Sequence, residues 1–595
     1  MPPRRTLALA CPHTAATAAG REAFADGGTA VDAALAACAT LAVVYPHMCS
    51  IGGDAIALVH APDGTVTAVN GSGAAPAALD AARVRAALER DPAPLTRTGM
   101  PVRGPHTVTV PGVLAAWETL RLLGAALPLH RLLRPAIAYA AEGCAVSRSL
   151  AATLAWEPEV FAADPGLRDV FFRAASGAGL QDDVSSAAVT PHPGRARSDV
   201  RPLVEGERFV QPALAASLMT VAHAGVGAFY RGELGARYAA GLRAIGSAMT
   251  RADLAAHATE VTAPLRAHAF GHEVLTAPPN SQGYVLLQVL MAMERLTDEP
   301  GEPPDVLGPC AHALARLFRL ASDERDRHLC DPNVHAVPLA QLLDAAHVAG
   351  LADAAQGEPD EATAGTSPGA AAGAVAGTFR ALADGDAGGS DPPRATDGDT
   401  VACVAADSEG WAVSVIQSVY HGFGAAILEP DTGIVAHDRG ACFSLDPTSP
   451  NLLEGGKRPL HTLMPVMLLR DGRLRVVAGT MGGEAQPQIH AQVLSRLLGP
   501  GAAHVRTDTG HAPAGDLAAA LAAPRWIVDE GRVYAEADVP QTCLAALRSC
   551  GMPLDMLASR DETVGHAQYV RLGADEGLGA AADPRADGTG LVWQG

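Results

Sequence analysis

An abrupt change of sequence character near residue 400 restricts the fold of this chain more than any other feature. Residues 356–398 are rich in Gly, Pro, Ala, Asp, Ser and Thr and show no apolar period, which predicts a linker or mobile loop. The apolar, β-prone segment 400–406 follows directly, and after a short turn segment 411–419 reads as its return strand. Because a structureless stretch of this length is unusual inside a compact domain, we expect residues 356–398 to be functional or disordered.

Apolar patterning on both sides of this seam predicts strands packed between helices. Residues 30–44 are Ala-rich and apolar on all sides, with Thr29 as a candidate N-cap, so a buried helix is expected there. Apolar residues at three- and four-residue spacing predict mainly helix from about residue 110 to 350, and helices recur after Gln486. Further strands are predicted at residues 55–59, 65–69, 466–469 and 474–477. This alternation suggests a layered α/β architecture.

Composition argues against several classes of function. The formal net charge is −20 and we find no basic run, so binding to nucleic acid is disfavoured. The most apolar run, residues 33–45, is shorter than the roughly 20 residues of a membrane-spanning helix, so no membrane partner is expected. The ten cysteines form no CxxC pair, so neither a zinc site nor a redox dithiol is indicated, and we expect no metal and no cofactor.

The N-terminal segment bears on where the chain is located. Arg4 and Arg5 precede the apolar run 6–11, but this run is shorter than the roughly 7–15 residues of a signal-peptide core, and Pro12 ends it. We therefore expect a first buried strand rather than a signal peptide. Scattered cysteines in a large chain are more often buried apolar residues, and a cytoplasmic location is the expectation.

Thr400 stands where the linker meets the strand, and this position suggests a specific chemistry. If the peptide bond between Asp399 and Thr400 is cut, Thr400 becomes a new N-terminus. Its α-amine, with a pKa of about 8, can then act as the base for its own hydroxyl. The cut would divide the chain into a large part, residues 1–399, and a small part, residues 400–595. Taken alone, the position favours an ordinary strand start, so other motifs must support the catalytic interpretation.

Seven short motifs supply this support by their order along the chain. They are Gly-Gly-Thr-Ala-Val-Asp-Ala-Ala at 27–34, Ile-Gly-Gly-Asp at 51–54, Thr-Val-Pro-Gly at 109–112, Gly-Asp-Thr at 398–400, Lys-Arg-Pro-Leu at 457–460, Gly-Gly at 482–483 and Asp-Pro-Arg at 583–585. In this order they resemble the γ-glutamyltransferase (γ-glutamyltranspeptidase) family of N-terminal nucleophile hydrolases, over about residues 8–590. The resemblance implies a four-layer αββα fold, self-cleavage into a large and a small fragment that form one unit, and Thr400 as the nucleophile.

The resemblance also implies roles for residues around Thr400. Gly482 and Gly483 match the pair whose backbone N–H groups bind the oxyanion, and Ser418 matches a threonine that supports the nucleophile's amine. The substrate-binding positions fall on Tyr420, Arg439, Cys442, His461 and Thr462. Cleavage would proceed by attack of the Thr400 hydroxyl on the Asp399 carbonyl, an N→O acyl shift and hydrolysis of the ester.

Departures from the glutamyl-specific members indicate a different substrate. Cys442 replaces an aspartate that holds the substrate's α-amino group, and a thiol cannot hold an ammonium in that way. The family's carboxylate-binding arginine falls on Ala81, with Arg83 nearby but facing elsewhere on a helix. Arg439 offers a new guanidinium that can grip a carboxylate through two hydrogen bonds, unless it is a structural ion-pair residue. The segment around Arg439 resembles the oxamate-amidohydrolase-like branch of the family.

Three functions stay open at this point. The preferred one is an autoprocessing threonine amidohydrolase that cleaves a small carboxylate-bearing amide. A true γ-glutamyl transpeptidase or glutathione hydrolase is the alternative, and an uncleaved, non-catalytic binding protein of the same fold is a third. Whether the chain forms a homo-oligomer is also open. The charged run at residues 323–327 is interpreted as a solvated helix face with internal salt bridges, and His312, His328 and His335 do not form a compact metal-ligand set.

Overall fold

A computed structural model gives the structure of most of the chain. It describes residues 5–174, 200–297, 302–357, 399–498, 506–507, 510–511, 517–573 and 577–595. The expected linker, residues 356–398, lies outside the described residues except at its start, where Gln356 ends a helix.

Two antiparallel sheets form the centre of the protein. From edge to edge, the strands of the first sheet are Thr589–Gln594, Thr6–Cys11, Asp399–Asp407, Ala412–Tyr420, Asp54–His60, Val66–Asn70 and Glu260–Thr262. From edge to edge, the strands of the second sheet are Leu578–Ala582, Ala567–Leu572, Arg473–Thr480, Val466–Arg470, His272–Thr276 and Leu265–Ala269. The two strands predicted on either side of the turn after residue 406 are therefore central and are buried along their whole length.

Helices cover the outer side of each sheet. Those on the side of the first sheet are Thr14–Ala25, Ala30–Val44, Val113–Gly124, Leu129–Leu132, Arg134–Glu142, Pro212–Ala224, Gly227–Tyr230, Glu233–Ala244 and Arg251–Ala256. Those on the side of the second are Gly283–Met293, Ala311–His328, Leu339–Leu342, Ala345–Gln356, Gln486–Leu498, Leu517–Ala522 and Gln541–Arg548. The remaining helices are Ala81–Arg90, Arg148–Trp156, Pro158–Ala163 and Pro165–Phe171.

The two sheets pack face to face through aliphatic side chains. Val404 and Ala406 of the first sheet share an apolar cluster with Met467, Val477 and Val570 of the second. Two larger clusters join the outer face of each sheet to its helices. The result is the four-layer αββα arrangement, and the predicted fold class is confirmed.

The Ala-rich helix is Ala30–Val44, and all of its residues are buried. Thr29 accepts hydrogen bonds from the N–H groups of Val31 and Asp32, and the Asp32 carboxylate accepts one from the N–H of Thr29. This reciprocal cap satisfies amides that a helix start leaves unpaired. The same carboxylate accepts from the N–H groups of Ala126 at 2.8 Å and Leu127 at 2.9 Å, so it also holds a neighbouring connection.

Part of the second sheet departs from the expectation of mainly helix between residues 110 and 350. Leu265–Ala269 and His272–Thr276 are paired strands in this region, joined by Phe270 and Gly271, both at positive φ. Each strand has only five residues, and the period-2 signal, which is clear only in Leu265–Ala269, was too short to stand out. Within the described residues, no helix is both long and apolar enough to cross a bilayer.

Several short strands lie outside the two sheets. They are Cys144–Ala145, Phe172–Ala174, Val200–Pro202, Arg208–Phe209, Leu428–Glu429, Ile434–Val435, Arg506–Thr507, Gly510–His511, Trp526–Asp529, Arg532–Glu536 and Leu554–Leu557. The last three form a small sheet that packs beside the helices of the second layer.

Candidate active site

Thr400 lies in the gap between the two sheets. On its strand, Val401 and Cys403 pack toward the helices, whereas Val404 packs against the second sheet. Because side chains alternate along a strand, Thr400 faces the second sheet. Its side chain is 1% exposed, so the uncleaved chain holds the hydroxyl away from solvent.

A bulge interrupts the strand ladder at the peptide bond between Asp399 and Thr400. Thr400 is opposite Ser418, whereas Asp399 is opposite Tyr420, so Val419 has no partner on that strand. The Val419 amide donates instead to Met48 O at 3.2 Å. Tyr420 then adopts a φ of 81°, which is uncommon for a residue with a side chain. The bond expected to be cut is thus released from regular pairing.

The Ser418 hydroxyl contacts both groups that would react in the cleavage. It donates to the carbonyl oxygen of Asp399 at 2.7 Å and accepts from the Thr400 hydroxyl at 3.0 Å. It also accepts from the Tyr420 N–H at 2.8 Å and from Arg439 Nη2 at 3.3 Å. Since a hydroxyl has one proton, its donation to the carbonyl requires Thr400 to be the donor in their shared bond. Nucleophile and carbonyl are therefore held by one side chain.

Arg439 is a buried cation whose contacts within the described residues are neutral. Its Nη1 donates to Thr462 Oγ1 at 3.0 Å and lies 3.6 Å from Cys442 Sγ, and its Cζ lies 4.3 Å from the centroid of the Tyr420 ring. Its Nε has no hydrogen-bond partner, and no carboxylate of a described residue lies within 4.0 Å of the guanidinium. The side chain is 1% exposed. A buried guanidinium with an unused N–H, one hydroxyl away from Thr400, can bind a carboxylate.

Cys442 lies next to this guanidinium on the same short 3₁₀ turn, Arg439–Cys442. Burial raises the pKa of the Cys442 thiol, although nearby Arg439 opposes this, so the thiol stays neutral. The position therefore has no negative charge with which to hold an ammonium. Arg83, which was expected to face elsewhere on a helix, lies on the helix Ala81–Arg90, is exposed and donates to Ala78 O at 3.2 Å, and Ala81 is buried.

His461 is directed away from this guanidinium, unlike its neighbour Thr462. Its Nδ1 accepts from the N–H of Leu463 at 3.3 Å, which places the ring proton on Nε2, 3.2 Å from Asp54 Oδ2. Burial, with the charge of Arg439, lowers the pKa of His461 to about 3, so the ring is neutral. Of the two expected substrate-binding residues, Thr462 contacts Arg439 through its hydroxyl, whereas the imidazole of His461 is hydrogen-bonded to Asp54.

Asp54 brings two of the sequence motifs together. Its Oδ1 lies 3.3 Å from the N–H groups of Gly73 and Gly112, and its Oδ2 faces His461 and, at 3.5 Å, His437 Nδ1. Burial by itself would raise the pKa of Asp54, but His437 and His461 outweigh it and the pKa is lowered. The motifs at residues 51–54 and 109–112 therefore meet at one ionised carboxylate behind the site.

The strand Arg473–Thr480 brings the glycine pair to the same gap. Ser414 Oγ donates across the gap to Ala478 O at 2.8 Å, and a Cβ at Gly479 would lie 2.9 Å from Ala402 Cβ. The strand therefore runs over the same face that carries Thr400, and the glycine turn follows at its end.

The turn at Gly482 and Gly483 requires glycine. Their φ angles are 135° and 50°, and a Cβ at Gly482 would lie 2.3 Å from Ile489 Cδ1. Neither backbone N–H donates to a described residue. The Gly482 carbonyl is held by the N–H of Ala485 at 2.8 Å, and the N–H of Gly483 points the opposite way because the peptide is planar and trans. Two such amides can receive an oxyanion.

Arg325 corrects one part of the interpretation of residues 323–327, the solvated face, whereas an internal salt bridge does form, between Arg325 and Asp326 at 2.7 Å. Arg325 is 1% exposed, and its Nη2 donates to Glu484 Oε2 at 2.6 Å. Its Nη1 lies 3.3 Å from Oε1 of Gln282, a residue that sequence reasoning passed over. A charged run at helical spacing does not reveal which of its residues faces inward, so the pattern gave no signal for Arg325. A single glutamine in a loop gave none for Gln282. No group of three metal-ligating side chains occurs in the part of the chain that the structure describes.

Comparison with known proteins gives consistent matches over the whole chain. A family model described as Gamma-glutamyltranspeptidase matches residues 16–185 and 196–593. The oxamate amidohydrolase proenzyme of Klebsiella pneumoniae is 35% identical over 97% of this chain and 96% of that protein. The glutathione hydrolase-like YwrD proenzyme of Bacillus subtilis is 32% identical over 98% and 97%. The crystal structure of cephalosporin acylase from Bacillus halodurans superposes with a TM-score of 0.78 at 28% identity, covering 100% of this chain and 96% of that one.

Proposed function

The chain belongs to the gamma-glutamyltranspeptidase family of enzymes, and on that premise we propose that it is an autoprocessing threonine amidohydrolase for small carboxylate-bearing amides. The observation that carries the substrate class is the buried guanidinium of Arg439, which lacks a described carboxylate partner. Burying such a charge unpaired is costly, so a substrate anion that completes it is favoured. The relative named as an oxamate amidohydrolase proenzyme supports the same class.

Cleavage of the chain starts from the contacts of Ser418. The Thr400 oxygen attacks the Asp399 carbonyl carbon while its proton passes to the Ser418 oxygen and the Ser418 proton passes to the carbonyl oxygen, which gives a neutral tetrahedral intermediate. The C–N bond then breaks, the hydroxyl proton of the intermediate passes to the Thr400 nitrogen, and an ester remains. Water hydrolyses this ester, which leaves a carboxylate on Asp399 and a free amine and hydroxyl on Thr400.

Substrate hydrolysis then uses the new amine as its base. The amine takes the hydroxyl proton of Thr400, the oxygen attacks the amide carbon, and the N–H groups of Gly482 and Gly483 bind the oxyanion. The proton moves to the leaving nitrogen, which departs as ammonia or an amine. Water attacks the acyl-enzyme in the same way and releases the acid. Arg439 holds the neighbouring carboxylate throughout, and neutral Cys442 gives no charge for an α-ammonium.

Turnover of oxamate against a γ-glutamyl anilide tests this proposal. We expect ammonia release from oxamate, and we expect Arg439→Met to lower kcat/KM for it by about 10²–10³-fold, as for loss of a buried charge pair. Arg439→Lys should recover part of this loss, because it keeps the charge without the planar fork. Rates are normalised to cleaved protein, and Arg83→Met, which changes an exposed arginine, is the control.

The other two functions have distinct outcomes in the same assay. Strong anilide turnover with transfer to dipeptides would identify a true γ-glutamyl transpeptidase or glutathione hydrolase, as the name of the YwrD relative suggests for that protein. A single uncleaved band and no turnover would favour a non-catalytic binding protein.

A further inference from the structure

Gln282 forms a bridge between the two halves of the site. Its side-chain Nε2 donates to the carbonyl of Thr462 and to the carbonyl of Gly483, each at 2.9 Å. Thr462 is the residue whose hydroxyl accepts from Arg439, and Gly483 belongs to the turn with the two unused amides. One fully buried amide therefore fixes the separation between the carboxylate-binding end and the oxyanion-binding end.

The orientation of this amide follows from its three partners. Two of them are carbonyl oxygens, which accept only, and the third is Arg325 Nη1, which donates only, 3.3 Å from Gln282 Oε1. A flipped amide would face two acceptors with its oxygen and the guanidinium with its N–H groups. Gln282 therefore holds both carbonyls with N–H donors.

Arg325 in turn is held beside the glycine turn. It donates to Glu484, the residue after Gly483, and Glu484 also accepts from Arg97 Nη2 at 2.8 Å. The turn has two consecutive glycines at positive φ. Because glycine restricts the backbone little, the turn is locally flexible unless other contacts hold it. Contacts from outside therefore help to fix its geometry, and the Gln282 bond is a side-chain contact made directly to a glycine of the turn, at Gly483 O.

We propose that Gln282 is a positioning residue that aligns the oxyanion-binding turn with the bound carboxylate. This role rests on the proposed function, because it assumes that Gly482 and Gly483 bind the oxyanion. Loss of the bridge leaves Thr400 and Arg439 in place but lets the turn move. Binding should then suffer less than the chemical step, since displacement of a catalytic group by about 1 Å can reduce the rate about 10²-fold.

Steady-state kinetics of three variants test the proposal on whichever amide the wild type hydrolyses. Gln282→Ala should lower kcat by about 10–100-fold with KM changed by less than about threefold. Gln282→Glu should lose as much although it keeps the volume, because it presents oxygens to two carbonyls. The control is Gln288→Ala, since Gln288 is also fully buried and its Nε2 also donates twice, to Glu324 and to Leu342 O, away from the turn.

Hydrogen exchange gives a second readout that does not need turnover. Peptides that cover residues 481–485 should exchange faster in Gln282→Ala and at the wild-type rate in Gln288→Ala. The proposal is overturned if Gln282→Ala keeps both kcat and exchange at wild-type values, or if the control changes both equally. Failure of the proposed function would appear separately, as the wrong substrate or as no turnover in the wild type.

Discussion

One hydroxyl, that of Ser418, stands between the nucleophile and the bond it is proposed to cut. It is hydrogen-bonded to Thr400, to the Asp399 carbonyl and to Arg439. The reacting groups of the precursor and the proposed carboxylate-binding residue therefore share one partner. The strand bulge between Asp399 and Thr400 takes Asp399 out of the regular register, so that Ser418, the residue opposite Thr400, also contacts the Asp399 carbonyl. On the proposed function, the same serine would take part in both reactions, chain cleavage and substrate hydrolysis.

Replacement of Ser418 separates these contributions. Ser418→Ala removes the donor to the Asp399 carbonyl and the acceptor of the Thr400 proton, so we expect cleavage to slow by at least about 10²-fold, as when an oxyanion donor is lost. Ser418→Thr retains the hydroxyl and should cleave at a rate close to the wild type. A time course on denaturing gels, from freshly synthesised precursor, measures both rates. Wild-type cleavage in Ser418→Ala would contradict the assigned role.

Residue identities near Thr400 could be anticipated, but their orientations could not. The positions of Tyr420, Cys442 and Thr462 were expected near Arg439, and the structure brings all three into contact with its guanidinium. His461 was expected beside them, yet its ring faces Asp54, because a buried carboxylate offers a better partner than a cation. Which rotamer a buried side chain adopts depends on partners distant in sequence, and no local pattern encodes it.

At the scale of elements, the N-terminal cap of the helix Ala30–Val44 also fixes the connection that follows residue 124. Asp32 accepts from Thr29 and from two amides of the connection after residue 124. Since the helix packs on the strand that carries Thr400, the cap supports the layer behind the nucleophile.

Loss of this carboxylate should destabilise the fold measurably. Asp32→Ala leaves several backbone amides without their acceptor, and we expect a loss of about 2–4 kcal/mol in the free energy of unfolding. Asp63→Ala is the matched control, because Asp63 is exposed and accepts from the Thr65 N–H in a local turn. Urea unfolding of the uncleaved Thr400→Ala chain compares the two. If both substitutions lowered the free energy of unfolding equally, the Asp32 cap would contribute no more to stability than an exposed turn residue.

Elements near residue 400 were predictable because their patterns are strong. The strands Asp399–Asp407 and Ala412–Tyr420 are long, apolar and separated by a turn with clear polar residues, and their limits were anticipated within about one residue. The paired strands at residues 265–276 were missed, since five residues carry too little period to oppose the helical pattern around them. Such strands form because neighbouring strands pair with them, which is a tertiary cause.

At the scale of the whole molecule, three buried histidines make stability depend on pH. Burial lowers the pKa of His461 and His490 to about 3 and that of His566 to about 4. In the unfolded chain each regains an ordinary pKa of about 6.5. Below that value the unfolded state binds protons that the folded state does not, so acid favours unfolding.

The expected effect is a loss of stability as pH falls from about 6.5 to 4. The three protons that these histidines take up on unfolding contribute at most about 4 kcal/mol per pH unit in this window, and this contribution to stability is fully retained above it. Urea midpoints of the uncleaved Thr400→Ala chain at several pH values measure the slope. His490→Asn should lower the slope by up to about 1.4 kcal/mol per pH unit, because one proton fewer is taken up on unfolding. A midpoint that stays constant from pH 7 to 5 is incompatible with neutral buried imidazoles.

The global architecture was accessible from the order of motifs, and the structure gives the physical reason. Motifs distant in sequence, such as residues 51–54 and 109–112, converge on a single buried carboxylate. The segment 356–398, which precedes Thr400, lies almost wholly outside the described residues, so the division into parts at residue 399 stays a prediction.

The end group of the small fragment tests the central claim most directly. N-terminal sequencing and intact-mass analysis of the purified wild-type protein should give a fragment that begins Thr-Val-Ala-Cys-Val at residue 400, with a second fragment that ends at Asp399. The Thr400→Ala chain should give one unbroken, inactive species. An unbroken wild-type chain with full amidase activity, or activity in Thr400→Ala, would contradict the account.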